Sequence, residues 1–135
     1  MEFIEKIQNI LPELIKRFPM IEVLYLFGSR VSDRVKEKSD VDLALFIDQT
    51  NYEPDPLLDL KIGVFFEEHL GIKTDIIIMN KVSPIMQHEI LRTGKRLYEK
   101  DRTKRAQYEL ITFKSHEDAK YYKDLRRKKE TIRGQ

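Results

Sequence analysis

Three short apolar runs constrain the fold of this chain more than any other feature: IEVLYLF at 21–27, VDLALFI at 41–47 and KTDIIIM at 73–79. The first has the length and the β-branched, aromatic composition of a buried strand, and the other two read as a second and a third strand. Around them the apolar residues recur at three- and four-residue steps. Phe3, Ile4, Ile7, Ile10, Leu11, Leu14, Ile15 and Phe18 form one face of an N-terminal helix, which Pro12 is expected to kink or divide and Pro19 to stop. Residues 55–70 read as a second helix ended by Gly71, with Leu57, Leu58, Leu60, Ile62, Val64, Phe65, Phe66 and Leu70 expected to pack inward. Ser83-Pro84 is an N-cap followed by a proline at the first helical position, and the helix it starts ends at Gly94. Residues 96–99 add a short edge strand. The remainder, 101–133, reads as one long polar helix with a sparse stripe of Tyr108, Ile111, Phe113, Tyr121, Tyr122 and Leu125. That stripe is too thin to bury the helix in its own domain, so the helix is expected to need a partner.

With 135 residues the chain has room for one modest core. It has no cysteine, which excludes disulfides, zinc–thiolate sites and thiol nucleophiles. No apolar run approaches the roughly 20 residues of a membrane helix. The amphipathic, acidic start MEFIEK is unlike a signal peptide, so a cytoplasmic protein without membrane contact is expected. The net charge of +2 hides an asymmetry. From Lys100 onward twelve Lys/Arg face six Asp/Glu, so the first 99 residues carry −4. A basic extension on an acidic body fits an anionic partner as well as a simply solvated helix.

The chemistry lies in Gly28-Ser29, a ten-residue spacer, and Asp40-Val41-Asp42. Side chains at i and i+2 of a strand share a face, so Asp40 and Asp42 project together. Two carboxylates so close repel unless a cation sits between them, and a hard divalent ion such as Mg²⁺ suits oxygen ligands and phosphate. Two such ions stabilise the attacking and the leaving oxygen of an in-line displacement. Gly28 lets the backbone turn sharply and approach a ligand. A helix starting in the spacer would aim free N–H groups at phosphate, and the Ser29 hydroxyl would add a donor. Arg30, Arg34, Lys36 and Lys38 offer charge, some of it merely solvated. Asp75, on the third run, is placed either to share a metal or to take a proton from an attacking hydroxyl. Singly, each element has a plainer reading: a turn, a capping carboxylate, a strand-boundary residue. In fixed order on three successive strands they are specific.

This constellation resembles the nucleotidyltransferase superfamily of the DNA polymerase β type, and most of all its minimal "MNT" proteins, over residues 20–99. The ten-residue spacer is characteristic of that group, Ser39-Asp40-Val41-Asp42-Leu43 matches its Ser-Asp-hydrophobic-Asp-Leu core, and its third acid maps onto Asp75. The run Gly28-Ser29-Arg30-Val31-Ser32-Asp33 departs from the common Gly-Ser-Arg-Ala-Arg-Gly, which puts the loop's triphosphate contacts in question. The resemblance implies an α/β (α+β) fold with a polymerase β-like core: a small mixed sheet, flanking helices mainly on one face and a long C-terminal helix. It implies a nucleotidyltransferase domain at 1–99 and a partner-binding helical extension at 100–135. Catalytic and metal-ligating roles fall to Asp40, Asp42 and Asp75 with two Mg²⁺ ions, and nucleotide contacts to Gly28, Ser29 and Arg30, with ATP as substrate.

Many minimal MNT proteins look like antitoxins paired with an all-helical HEPN ribonuclease, on whose tyrosine they place AMP. Chain size and the lack of a second substrate domain fit that pattern. The alternatives are a small-molecule nucleotidyltransferase of the aminoglycoside-modifying kind, which here would need a second subunit to close its pocket, and a non-catalytic binding antitoxin. A homo-oligomer is compatible with the sequence. Base stacking on Tyr108, Phe113, Tyr121 and Tyr122 is less expected than packing. His69, His88 and His116 share no metal-ligand spacing, and Met79 and Met86 read as core or interface filler.

Overall fold

A computed structural model describes the backbone of residues 2–28 and 41–133 and the side chains of 3–28 and 41–117. Helix α1 (Glu2–Arg17) leads into strand β1 (Ile21–Phe27), and strand β2 (Val41–Ile47) into helix α2 (Leu58–Leu70). Strand β3 (Thr74–Ile78), a single 3-10 turn at Met79–Lys81, helix α3 (Pro84–Thr93), strand β4 (Lys95–Glu99) and helix α4 (Arg102–Arg133) follow. The strands form one mixed sheet in the order β3-β2-β1-β4, with β2 and β3 parallel and β1 antiparallel to both of its neighbours.

Both faces of the sheet are covered, in contrast to the one-sided arrangement expected. Leu24, Leu26, Leu43 and Leu45 pack against Ile7 and Leu14 of α1 and Ile62, Phe65 and Phe66 of α2. On the other face Val23, Tyr25, Ala44 and Phe46 meet Ile90 of α3 and Tyr108 of α4. The two central strands are therefore buried almost throughout. An unbroken apolar run, rather than an alternating one, is the sequence mark of a strand buried on both faces.

Local chemistry explains most element ends. Gly71 closes α2 in the left-handed region at φ 69°, donating its N–H to the Glu67 carbonyl. Ser83 caps α3, its hydroxyl accepting from Met86 N at 3.2 Å. Pro12 lies inside α1 without dividing it, because Ile7 and Leu14 on either side are both anchored in the same core. Helix α2 begins at Leu58 rather than Asp55, since the Asp55 carboxylate and carbonyl accept from Leu57 N and Leu58 N in a turn ahead of it. Leu57, Leu60 and Val64 were expected inside but are 53%, 63% and 51% exposed. They lie on the helix face opposite Leu58, Ile62, Phe65 and Phe66.

The first turns of α4 belong to the folded body. Tyr108 stacks on Phe46 with ring centroids 4.7 Å apart and donates its hydroxyl to Ile47 O at 3.3 Å. Arg105 bonds Glu99 at 2.7 Å and Glu109 at 3.0 Å, and Glu109 in turn accepts from the Tyr25 hydroxyl at 2.8 Å. Burial, and after it the Glu109 carboxylate, push the Tyr25 phenol far above its ordinary range. Glu22, 1% exposed, reaches Lys104 at 3.7 Å and keeps one carboxylate oxygen without a hydrogen bond. No helix among the described residues is long and apolar enough to cross a membrane. Met79 is core, whereas Met86 is exposed.

Candidate active site

The site is assembled where three strands meet in register. Phe27, the last residue of β1, pairs with Asp42 across the antiparallel ladder. Asp42 pairs with Asp75 across the parallel one. Directly opposed residues point to the same face of a sheet and sit on strands about 4.8 Å apart. The two carboxylates therefore stand side by side on the face that α3 and α4 cover further along, beyond the last apolar row formed by Tyr25, Ala44 and Ile77. Asp42 is half-buried and Asp75 exposed.

Gly28 follows at once with φ +78°, a conformation that side chains with a Cβ rarely adopt. A Cβ at this position would collide with the Asp42 carboxylate: it would stand 3.2 Å from Cγ and closer still to Oδ2. The turn is thus glycine for two reasons, the backbone angle and the acid that fills the space beside it. Phe27 supplies a half-buried aromatic wall next to Asp42. Beneath that wall, a Cβ on Gly94 would stand 3.2 Å from Leu26 O, so the end of α3 fits closely under the end of β1. Nothing in the sequence marked Phe27 as a neighbour of the acids, because the pairing register decides it.

Asp42, Asp75 and Gly28 are therefore brought together as the sequence led us to expect. Ser29, Arg30, Arg34, Lys36, Lys38 and Asp40 lie outside the described residues, as does the helical turn expected between Gly28 and Asp40. Among the described residues no three His, Cys, Asp or Glu side chains are grouped to hold a metal ion. The described part does contribute a fitting pair: two carboxylates in register beside a glycine turn, offering hard oxygen donors. The histidines fall elsewhere. His69 stacks on Phe65, while His88 and His116 stack on each other at 3.9 Å, joining α3 to α4.

Comparison with known proteins agrees with this architecture. Residues 5–103 match the family "Polymerase beta, Nucleotidyltransferase". The protein adenylyltransferase MntA of Aphanizomenon flos-aquae (strain 2012/KM1/D3) is 31% identical over 103 residues, covering 71% of this chain and 69% of that one. A chain from the crystal structure of a toxin–antitoxin with AMP-PNP superposes with a TM-score of 0.67 at 18% identity, covering 93% of this chain and 94% of the other. A chain from the tri-AMPylated Shewanella oneidensis HEPN toxin in complex with MNT antitoxin gives a TM-score of 0.60 at 19% identity, covering 93% and 91%. At those identities the two structures speak for the fold alone. The chain belongs to the polymerase β-type nucleotidyltransferase family, and the fold and the activity it supports, transfer of a nucleotidyl group, are those of that family.

Proposed function

We propose that this chain is the antitoxin of a HEPN/MNT pair and transfers AMP from ATP to a tyrosine of its HEPN-type toxin partner. One observation carries the reading: Asp42 and Asp75 stand in register at the mouth of the Gly28 turn, in a chain 31% identical to the protein adenylyltransferase MntA. The AMP-PNP in the similar toxin–antitoxin crystal structure supports ATP as the donor. The AMPylated HEPN toxin in the Shewanella complex supports the acceptor.

In this mechanism Gly28 lets the backbone approach the triphosphate, and Ser29 and Arg30 donate to its oxygens. Asp40, Asp42 and Asp75 would hold two Mg²⁺ ions, which would neutralise charge on the triphosphate and on the attacking and leaving oxygens. Asp75 takes the proton of the acceptor hydroxyl. The acceptor oxygen bonds to the α-phosphorus as the bond to the bridging oxygen breaks, and pyrophosphate leaves. The protein's contribution is chiefly position and charge. Residues 1–99 carry the transfer and 100–135 bind the partner. The exposed Leu110, Ile111 and Phe113 of α4 support that division. The setting is the cytoplasm.

The test is incubation of the purified chain with α-labelled ATP, Mg²⁺ and a host extract, beside the Asp40→Ala/Asp42→Ala double variant. Label on a discrete protein band with wild type alone is the expected outcome. Label on small molecules would favour an aminoglycoside-type enzyme instead, and no label from any of the four NTPs would leave a binding antitoxin.

A further inference from the structure

Lys73 stands immediately before β3 and two residues before Asp75. Side chains at i and i+2 of an extended chain share a face. Pairing with β2 already includes Lys73, whose carbonyl accepts from Val41 N at 3.0 Å, so the alternation of β3 reaches back to it. Ile76 and Ile78 pack into the core under α1 and α2, and Ile77 into the core under α3 and α4. Lys73 and Asp75 therefore share the face of Ile77 and Asp42, with Lys73 one row further out. Rows on one face of a strand are about 6.6 Å apart, an interval that the flexible four-carbon stem of a lysine covers. The Lys73 side chain is exposed, and among the described residues it enters no ion pair. The charged groups of the described part that face it are Asp75 and, across the ladder, Asp42. Other cations at this end of the sheet are turned away or taken. Lys95 pairs with Leu26 and so projects from the opposite face, and Arg92 is held by Glu89 at 2.6 Å.

Strand order assigns this lysine a side of the reaction. Gly28 ends β1, Asp42 lies on β2, and Asp75 and Lys73 lie on β3, so the glycine turn and Lys73 flank Asp42 on opposite sides. In-line displacement likewise sets the attacking and leaving oxygens on opposite sides of the phosphorus. With the triphosphate at the Gly28 turn, pyrophosphate leaves over β1 and the acceptor attacks from over β3. A phenol ionises about six pH units above a carboxylate, so proton removal by a carboxylate alone is steeply uphill. A cation beside the phenolic oxygen narrows that gap, because it favours the charged form. We propose that Lys73 is the acceptor-side cation, its ammonium stabilising the phenolate of the acceptor tyrosine as Asp75 takes the proton. The proposal rests on the adenylyl-transfer reading above and names a residue of this chain that contacts the acceptor. The phenolic proton passes to the Asp75 carboxylate, and the electron pair it leaves behind forms the bond to the α-phosphorus. The electron pair of the broken bond departs with pyrophosphate, and Lys73 keeps its protons throughout.

The test compares wild type, Lys73→Met and Lys73→Arg, each as the full chain with its HEPN-type partner, α-labelled ATP and Mg²⁺, from about pH 7 to 9.5. At pH 7 Lys73→Met should transfer AMP about 10²-fold more slowly, the loss seen when one donor is removed from a developing oxyanion. Its Kd for ATP and its urea midpoint should stay those of wild type. The deficit should shrink as pH rises, because the phenol then ionises increasingly without help. Lys73→Arg should keep most of the rate, since the guanidinium preserves the charge. Transfer by Lys73→Met at the wild-type rate overturns the proposal. So does a deficit that is the same at every pH, which marks a role in shape alone. A weakened Kd for ATP with an unchanged rate at saturating ATP overturns it as well, by placing the lysine on the triphosphate. If wild type labels no protein at all, the adenylyl-transfer reading fails first and the role of Lys73 with it.

Discussion

Gly28 and Asp42 compete for one space, and each is defined by the other. Replacing Gly28 with alanine forces a Cβ into a left-handed conformation, at about 1–2 kcal/mol, and drives it against the Asp42 carboxylate. Gly28→Ala should therefore lower the urea midpoint and reduce AMP transfer together. Asp42→Asn separates the two effects. It keeps the shape beside Gly28 but removes a charge from the carboxylate row, so stability should hold while transfer falls by at least about 10²-fold, given the several kcal/mol of charge stabilisation at stake. Transfer at wild-type rate by Asp42→Asn would refute the metal-binding role. The pairing of Asp75 with Asp42 is the residue-scale fact that sequence could anticipate only in outline. The acids are visible as letters in apolar runs, whereas their register depends on how β3 slides against β2.

At the scale of elements, α4 is fastened to the sheet by charge as much as by packing. Glu22 is buried at the start of β1 with Lys104 as its nearest cation, and losing that partner leaves a carboxylate stranded. Lys104→Met should cost about 1–3 kcal/mol in urea unfolding, and adding Glu22→Gln should recover most of it. Several carboxylates are held below their ordinary range: Asp48 by the Asn51 amide and Thr50 N, Asp55 by Lys61, Glu89 by Arg92 and Glu99 by Arg105. A depressed folded-state value means that the stabilisation is complete above the unfolded carboxylate value and is lost as pH falls through the folded one. The urea midpoint should thus drop as pH falls below about 4. Tyr25 has the opposite sign: its raised value supplies stability that disappears as pH rises above about 10. A midpoint flat from pH 2 to 12 would contradict both assignments. The stacked pair His88–His116 could not be anticipated from spacing, because the packing of α3 on α4, not proximity along the chain, brings them together.

Over the whole molecule, the long C-terminal helix has two parts. Its 32 residues reach about 48 Å at 1.5 Å per residue; Arg105 and Tyr108 tie its first turns to the sheet, and His116 stacks on His88 of α3. Truncation after Lys100 would uncover Phe46 and Tyr25, so it cannot isolate partner binding. Truncation after Glu117 should keep the melting transition and ATP binding while weakening capture of the proposed HEPN-type partner about tenfold or more, a loss of about 1.4 kcal/mol; unchanged capture would show that the distal helix is not the docking surface. Much of the molecule was determined by sequence alone: the first three strands, the caps at Ser83 and Gly71, the Gly28 turn and the two acids on the strands beside it, all consequences of local periodicity and of backbone rules acting within a few residues. The sequence also held an unread signal, since IEVLYLF and VDLALFI lack alternation and so foretell helices on both faces. Tertiary structure alone decided the rest: that Leu57, Leu60 and Val64 face solvent, that Tyr108 returns to the sheet, and that β3 is an edge strand with Ile76 half-exposed beside Asp75. Those outcomes depend on which surfaces meet across long stretches of chain, and hydrophobic attraction, being non-directional, does not encode its partner in the residues themselves.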